Sequence, residues 1–278
     1  MINCLYIDGT DALAAWGVWI PKGGYDDLFA FPALKEPDAN DWKERDGLEC
    51  DLTAPKLEAL TVKIDFVASG KRQDTIGFLN ALSKPGVRQM QFTTLGRTFA
   101  LRLKDAPNLR RYSRLDSFSL DFVMDTPDRT SLYVRTDPQT SLPTSAYKLD
   151  GVGLEHYGIF VESGRDALLR PATMKEQLTR NISTVDGQIY NPNLPTREAK
   201  QTTFKCCLKA LDMFRMWSCR DAFFSALIQP GWHTLDYKGT LYECRYVSAQ
   251  NFRLAALRQN LAMIEFELTM SINRQITN

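Results

Sequence analysis

The segment Thr61-Val62-Lys63-Ile64-Asp65-Phe66-Val67 alternates apolar and polar residues with period two. That is the pattern of an antiparallel strand with one face in a core and the other in water. Thr203-Phe204-Lys205-Cys206-Cys207-Leu208 repeats it more weakly, and Phe118-Ser119-Leu120-Asp121-Phe122 and Ile264-Glu265-Phe266-Glu267-Leu268 alternate in the same way. Two segments change period. Ile76, Leu79 and Leu82, with Phe78 alongside, fall at helical spacing, as do Ala222, Phe223, Ala226 and Leu227. Each runs into Pro-Gly, at Pro85-Gly86 and Pro230-Gly231, where proline cannot continue a helix and glycine tolerates the reversal into the next strand. The pattern predicts a mainly β (α+β) chain of β-sandwich or split-barrel units, each with one short flanking helix.

The predicted elements recur in order. Tyr6-Ile7-Asp8-Gly9 followed by Trp16-Gly17-Val18-Trp19-Ile20 is answered by Lys148-Leu149-Asp150-Gly151 and Tyr157-Gly158-Ile159-Phe160-Val161, read as an Asp-Gly turn and an aromatic-Gly-apolar strand. Gly96-Arg97-Thr98-Phe99-Ala100-Leu101-Arg102 is answered by Gly239-Thr240-Leu241-Tyr242-Glu243-Cys244-Arg245, Asn108-Leu109 by Asn251-Phe252, and Met124 by Met270. Colinear blocks of this kind indicate a tandem duplication with a divergent middle in each copy. The expected domains are 1–126, carrying a long arm at about 21–57, and 147–278. A Pro-, Ser- and Thr-rich linker at 127–146 joins them. Inside it, Ser131-Leu132-Tyr133-Val134-Arg135 alternates as a short strand would.

Composition narrows the function classes. The 278 residues are 44% hydrophobic and 24% charged, and 34 Lys and Arg balance 33 Asp and Glu to a net +1, so no strong field draws the chain to nucleic acid or an anionic membrane. Cys4, Cys50, Cys206, Cys207, Cys219 and Cys244 have no regular spacing and read as buried free thiols, which with no secretion signal at the N-terminus and no long apolar run suggests a reducing cytoplasm. His156 and His233 lie in no metal or hydrolase pattern, and Lys22-Gly23-Gly24-Tyr25 and Gly151-Val152-Gly153 lack the rest of a phosphate or dinucleotide loop. Asp26-Asp27, Asp38, Asp41 and Asp46 read as solvated loop charge, the alternative being a glycosidase pair, and Arg110, Arg111 and Arg114 as an exposed hairpin end, the alternative being a phosphate contact. No catalytic, cofactor or metal residue is assigned, and no enzyme is expected.

The arm is the exception to this bland chemistry. A connection so long in a compact domain is usually functional. This one carries Tyr25, Phe29, Phe31 and Trp42, apolar mass that a solvent loop has no reason to hold. These four are the candidate subunit-interface residues. The expected arm buries itself on a neighbouring surface, the alternative being a fold back onto its own barrel.

Ile7-Asp8-Gly9, Trp16-Gly17-Val18, the acidic arm through Asn40-Asp41-Trp42 and Asp46-Gly47, the helix ending at Pro85-Gly86, and Gly96-Arg97-Thr98-Phe99 to Leu101-Arg102 with Pro107-Asn108-Leu109 together resemble phage and prophage tail proteins of the tail-tube and distal-tail kind. The resemblance covers the first copy best. It implies tail-tube-like units whose sheets join between subunits into a ring, hence a structural component of the tail tip, distal-tail or baseplate-hub-like. The implied partners are further copies of the chain, in a trimer or hexamer, and the tube, tape-measure and tip proteins, with no membrane and no sequence-specific nucleic acid. The implied place is the virion tail, after synthesis in the bacterial host cytoplasm. A different class, a carbohydrate-binding or adhesin-like β-sandwich, predicts aromatic residues exposed in a shallow groove.

Overall fold

In a computed structural model the strands alternate as their sequences demand. Along β6 (Leu60–Ala68), Val62, Ile64, Phe66 and Ala68 turn inward and are buried, while Thr61 and Lys63 face water. The structure describes residues 5–69, 72–111, 115–127, 135–176, 179–190 and 195–276, with the side chains of all but 72, 73 and 105–111. Cys4, Arg114 and residues 131–134 of the strand expected at 131–135 lie outside these residues.

In the first unit, β1 (Leu5–Ile7), β2 (Thr10–Asp11), α1 (Ala12–Trp16) and β3 (Val18–Trp19) lead into the arm, which holds a small hairpin of β4 (Ala39–Asn40) and β5 (Glu49–Cys50). Then come β6, α2 (Arg72–Leu82), β7 (Arg88–Phe92), β8 (Arg97–Arg111) and β9 (Asp116–Met124). The second unit runs β10 (Tyr147–Leu149), β11 (Val152–Gly153), β12 (Ile159–Ser163), α3 (Arg165–Leu169), a hairpin of β13 (Thr179–Asn181) and β14 (Gln188–Tyr190), β15 (Lys200–Ala210), α4 (Met213–Leu227), β16 (His233–Tyr237), β17 (Thr240–Arg258) and β18 (Leu261–Ile276).

Each unit is one curled seven-stranded sheet, in the order β2-β1-β7-β8-β9-β6-β3 and then β11-β10-β16-β17-β18-β15-β12. The two orders are the same once the strands are matched, and every pairing is antiparallel. The chain is therefore mainly β and made of two similar units, as its periodicity predicts. A helix covers each core: Phe78 of α2 sits edge-on to Phe66 at 5.2 Å and to Trp16 at 5.7 Å. Burying one such side chain is worth about 1.5–3 kcal/mol.

The structure corrects the sequence reading at two places. The aromatic of each aromatic-Gly motif closes a helical turn rather than opening a strand. Trp16 ends α1, which Asp11 caps by accepting from the Leu13 and Ala14 amides at 2.9 and 3.1 Å, and Tyr157 ends a 3-10 turn; Gly17 and Gly158 then take the left-handed C-cap position before the strands begin. The second helix is also longer than its apolar stripe suggested. It starts at Met213, with Asp212 accepting from the Arg215 amide at 2.8 Å, and it is buried on more than one side, which blurs a single stripe.

The middle of each copy, divergent in sequence, carries the same bridge and a hairpin in the same place among the described residues. An isolated bridge Leu34↔Leu57 in the first arm corresponds to Met174↔Arg197 in the second, an offset of 140 residues at both ends. The flanking bonds also correspond: Lys35 and Glu58 amides donate to Lys56 and Ala33 carbonyls, and Lys175 and Glu198 amides to Thr196 and Thr173 carbonyls, at 2.8–2.9 Å. Beyond each bridge lies a two-stranded hairpin, closed through Asp46-Gly47 or Asp186-Gly187.

Candidate functional site

The first arm leaves its own sheet and lies across α4, β17 and the base of the second arm. Its departure is fixed at the 3-10 turn Asp26–Phe29, which Tyr25 precedes. There the Asp27 carboxylate accepts from the Lys63 amide of β6 at 3.0 Å, and Tyr25 and Leu28 are buried. Phe29, fully buried, stacks on Trp217 of α4 at 4.9 Å. Phe31 lies flat on Phe224 at 5.0 Å and edge-on to Phe252 and Phe266 at 5.3 and 5.8 Å. Each such pair adds about 0.5–1.5 kcal/mol beyond area burial.

Buried charge accompanies these rings. Arg220 donates to the Phe29 carbonyl at 3.0 Å, to the Ala30 carbonyl, and to Asp221 at 2.5 Å. Asp221 also accepts from Arg97 of the first unit at 2.8 Å, Arg97 lies 4.6 Å over the Trp217 ring, and the Trp217 indole donates to the Leu95 carbonyl at 2.8 Å. Both the arm and the β7–β8 turn of the first unit thus hold α4. Such an ion-pair network costs desolvation, but its hydrogen bonds fix one geometry of approach.

Further along, the Leu34 amide donates to the Val247 carbonyl at 3.0 Å. That carbonyl is available because β17 bulges against β18 between Tyr246 and Ser248. The Tyr246 hydroxyl donates to the Pro32 carbonyl at 3.1 Å, and Glu36 pairs with Arg245, whose side chain is 5% exposed. At the tip, Gly47 donates to the Arg197 carbonyl at 2.8 Å, and the Leu48 amide to Asn273 of β18 at 2.6 Å. Buried Lys175 donates to Asp41 and to the Trp42 and Gly47 carbonyls, at 2.9 and 2.6 Å for the latter two. Gly47 has φ +69°, and a Cβ there would lie 2.2 Å from the Asn273 oxygen.

Of the four candidate arm residues, Tyr25, Phe29 and Phe31 are buried within this chain, the last two against the other unit. Trp42 stays 49% exposed at the hairpin, where its indole donates to Glu49 at 2.6 Å. Sequence reasoning missed Arg97, Arg220, Asp221, Arg245 and Asn273, because polar residues on a helix or a strand look solvated. The arm carboxylates are not gathered into one site. Asp27 holds β6, Asp41 meets Lys175, Asp46 accepts from the Arg197 amide at 2.7 Å, and the Asp38 carbonyl accepts from the Asp51 amide. Burial raises the Asp26 carboxyl above its ordinary value, against a hydrogen bond from the Leu254 backbone.

His233 has a positional role. Its Nδ1 lies 2.7 Å from Asp150, whose other oxygen accepts from the Thr234 amide at 2.7 Å; in the first unit Asp8 does the same with Arg88 and the Gln89 amide. His156 is exposed, 3.9 Å from Glu155. Cys206, Cys207, Cys219 and Cys244 are buried free thiols and Cys50 is half-buried; burial pushes Cys219 up to about 11 and Cys207 up to about 12. Arg110 and Arg111 lie in β8. Among the described residues no helix is long and apolar enough to cross a membrane.

No protein-family model matches the chain, and no curated protein matches its sequence. Among solved structures it is similar to the SPP1 Dit (gp 19.1) protein, described as a paradigm of the hub adsorption apparatus in phages infecting Gram-positive hosts. The match covers 100% of both chains at 14% identity, with a TM-score of 0.36.

Proposed function

We propose that this chain is a structural component of a phage or prophage tail tip, distal-tail or hub-like, that builds a ring by repeating its own inter-unit seam. The observation that carries the reading is the seam's asymmetry. The first arm lies on the second unit, whereas among the described residues the second arm meets the first arm's tip only with its base and makes no matching contact on the first unit's sheet. A head-to-tail contact of this kind is heterologous, so it propagates into a ring or a filament rather than ending at a pair. The sequence resemblance to tail-tube and distal-tail proteins supports the ring and supplies the setting. The partners are then further copies, the tube, the tape measure and the tip, in a virion tail assembled after synthesis in the host cytoplasm.

The role is structural rather than catalytic: the Asp27, Asp41 and Asp46 carboxylates hold the arm in place, and His233 and Asp150 clamp a turn to its strand. The carbohydrate-binding alternative calls for aromatic rings displayed in a groove, whereas Phe29, Phe31, Phe99 and Trp217 lie inside the seam. Light scattering behind a sizing column, across a concentration series, tests the reading. A mass near 95 or 190 kDa, three or six times the 31.6 kDa chain, is expected. A monomer at every concentration contradicts it.

A further inference from the structure

The second arm repeats the first, but among the described residues the positions matching the first arm's seam contacts are open. Leu169 corresponds to Phe29 and is 48% exposed where Phe29 is fully buried, and Met174 corresponds to Leu34 and is 49% exposed. Gly187 corresponds to Gly47 and has the same left-handed conformation, φ +82°, yet a Cβ there would meet nothing within 4 Å. Leu168, like Leu28, is buried in its own unit, so the second arm is anchored at the matching leucine, with Lys200 donating to the Ala167 and Leu168 carbonyls where Asp27 holds the first arm.

The receiving face is present a second time as well, on the first unit. β8 bulges against β9 between Leu103 and Asp105, as β17 does between Tyr246 and Ser248. Arg102, just before that bulge, corresponds to Arg245, and its side chain is 45% exposed instead of 5%. Lys35 corresponds to buried Lys175 and is exposed, and α2 presents Ile76, 44% exposed, at the position of Asp221 in α4.

We infer that the second arm of one chain docks on the first unit of a second copy of this chain, repeating the contacts that the first arm makes on the second unit. The inference rests on the ring reading above and names its interface. Met174 donates to the Lys104 carbonyl at the β8 bulge, as Leu34 does to Val247. Glu176 pairs with Arg102, as Glu36 does with Arg245. Gly187 lies over the base of the partner copy's first arm, where Lys35 reaches the carbonyls of the incoming tip. The charges needed are held only loosely at present. Glu176 pairs with Lys43 while 86% exposed, and Arg102 pairs with Asp125 with both nearly half exposed, and such surface pairs exchange at little cost.

A charge swap, read by sedimentation velocity over a concentration series, tests the interface. Arg102→Glu and Glu176→Arg should each weaken self-association by roughly tenfold or more, and Lys35→Glu should do the same, since truncating or reversing a desolvated charge at an interface costs far more than one at a rim. The double variant Arg102→Glu/Glu176→Arg should restore association toward wild type. Circular dichroism melts of all four should match the wild-type monomer, because these side chains are exposed within the chain. If the wild type assembles and the single variants assemble equally well, or the swap fails to rescue, the docking inference is overturned and the ring reading stands. If the wild type stays monomeric at every concentration, both fall.

Discussion

The two arms of this chain are built alike and live differently. Each leaves its sheet after an equivalent strand, buries one leucine at home, closes an equivalent bridge and ends in a hairpin through an Asp-Gly turn. The first then buries Phe29 and Phe31 against the other unit, whereas the second exposes Leu169 and Met174. The difference teaches that the arm's conformation comes from its own sheet, while its burial comes from a neighbour. In one case that neighbour is the next unit of the same chain.

The largest test of this contrast is a pair of truncations read by chemical denaturation. Phe29→Ala should cost about 3–5 kcal/mol, as core phenylalanines do, while Leu169→Ala in the monomer should stay within about 0.5 kcal/mol. Equal costs would break the comparison. Next in size, Asp221→Ala leaves the buried Arg220 and its neighbour Arg97 without their shared carboxylate and should cost about 3 kcal/mol, visible as a lowered Tm. Ile76→Ala at the matching place on α2 should leave the melt nearly unmoved.

A smaller pair sharpens the comparison at the hairpin tips. Gly47→Ala and Gly187→Ala both place a Cβ at positive φ, which costs about 1–2 kcal/mol. Only at Gly47 does that atom also strike Asn273, so its loss should exceed that of Gly187 by a measurable margin.

The smallest effect is one that the Asp8-Gly9 and Asp150-Gly151 turns should share, and it shows in pH. The hydrogen bond from the Gln89 amide, opposed by burial and helped by Arg88, holds the Asp8 carboxyl below its ordinary 3.8; at Asp150 burial pushes upward, but hydrogen bonds from His233 and the Thr234 amide outweigh it. A folded-state pKa below the unfolded one stabilises fully above the unfolded value and loses that stabilisation as pH falls through the folded value. Stability should therefore drop below about pH 4, where carboxyls of ordinary pKa take up protons. Asp8→Asn and Asp150→Asn should each flatten that drop in an acid titration of Tm, and a wild-type slope in both variants would contradict the clamp.

How much was legible in the sequence follows from how many sides of an element are buried. β6 and β9, with one face in the core, carry period two openly, and the strand-rich, two-unit architecture could be read from them. α4 meets its own sheet on one side and the first unit on another, so its first turns have no clean stripe and its start at Met213 was missed. The likeness of the arms survives in only a few positions, chiefly Leu34-Lys35-Glu36 against Met174-Lys175-Glu176, because bridge geometry constrains backbone more than side chains. The excess of apolar residues at Phe29 and Phe31, read from the sequence as a subunit-interface arm, falls at the seam between the two units of one chain. Its polar half, Arg220, Asp221 and Asn273, gave no signal, since a buried charge and a solvated one look the same in a string of letters.

Hydrogen exchange at the two arms, followed with protein concentration, tests the central claim most directly. The amides of Leu34, Gly47 and Leu48 should be protected at every dilution, because their acceptors belong to the same chain. Those of Met174, Gly187 and Gln188 should exchange fast when dilute and become protected as concentration rises. Equal and concentration-independent protection of both arms would contradict the account.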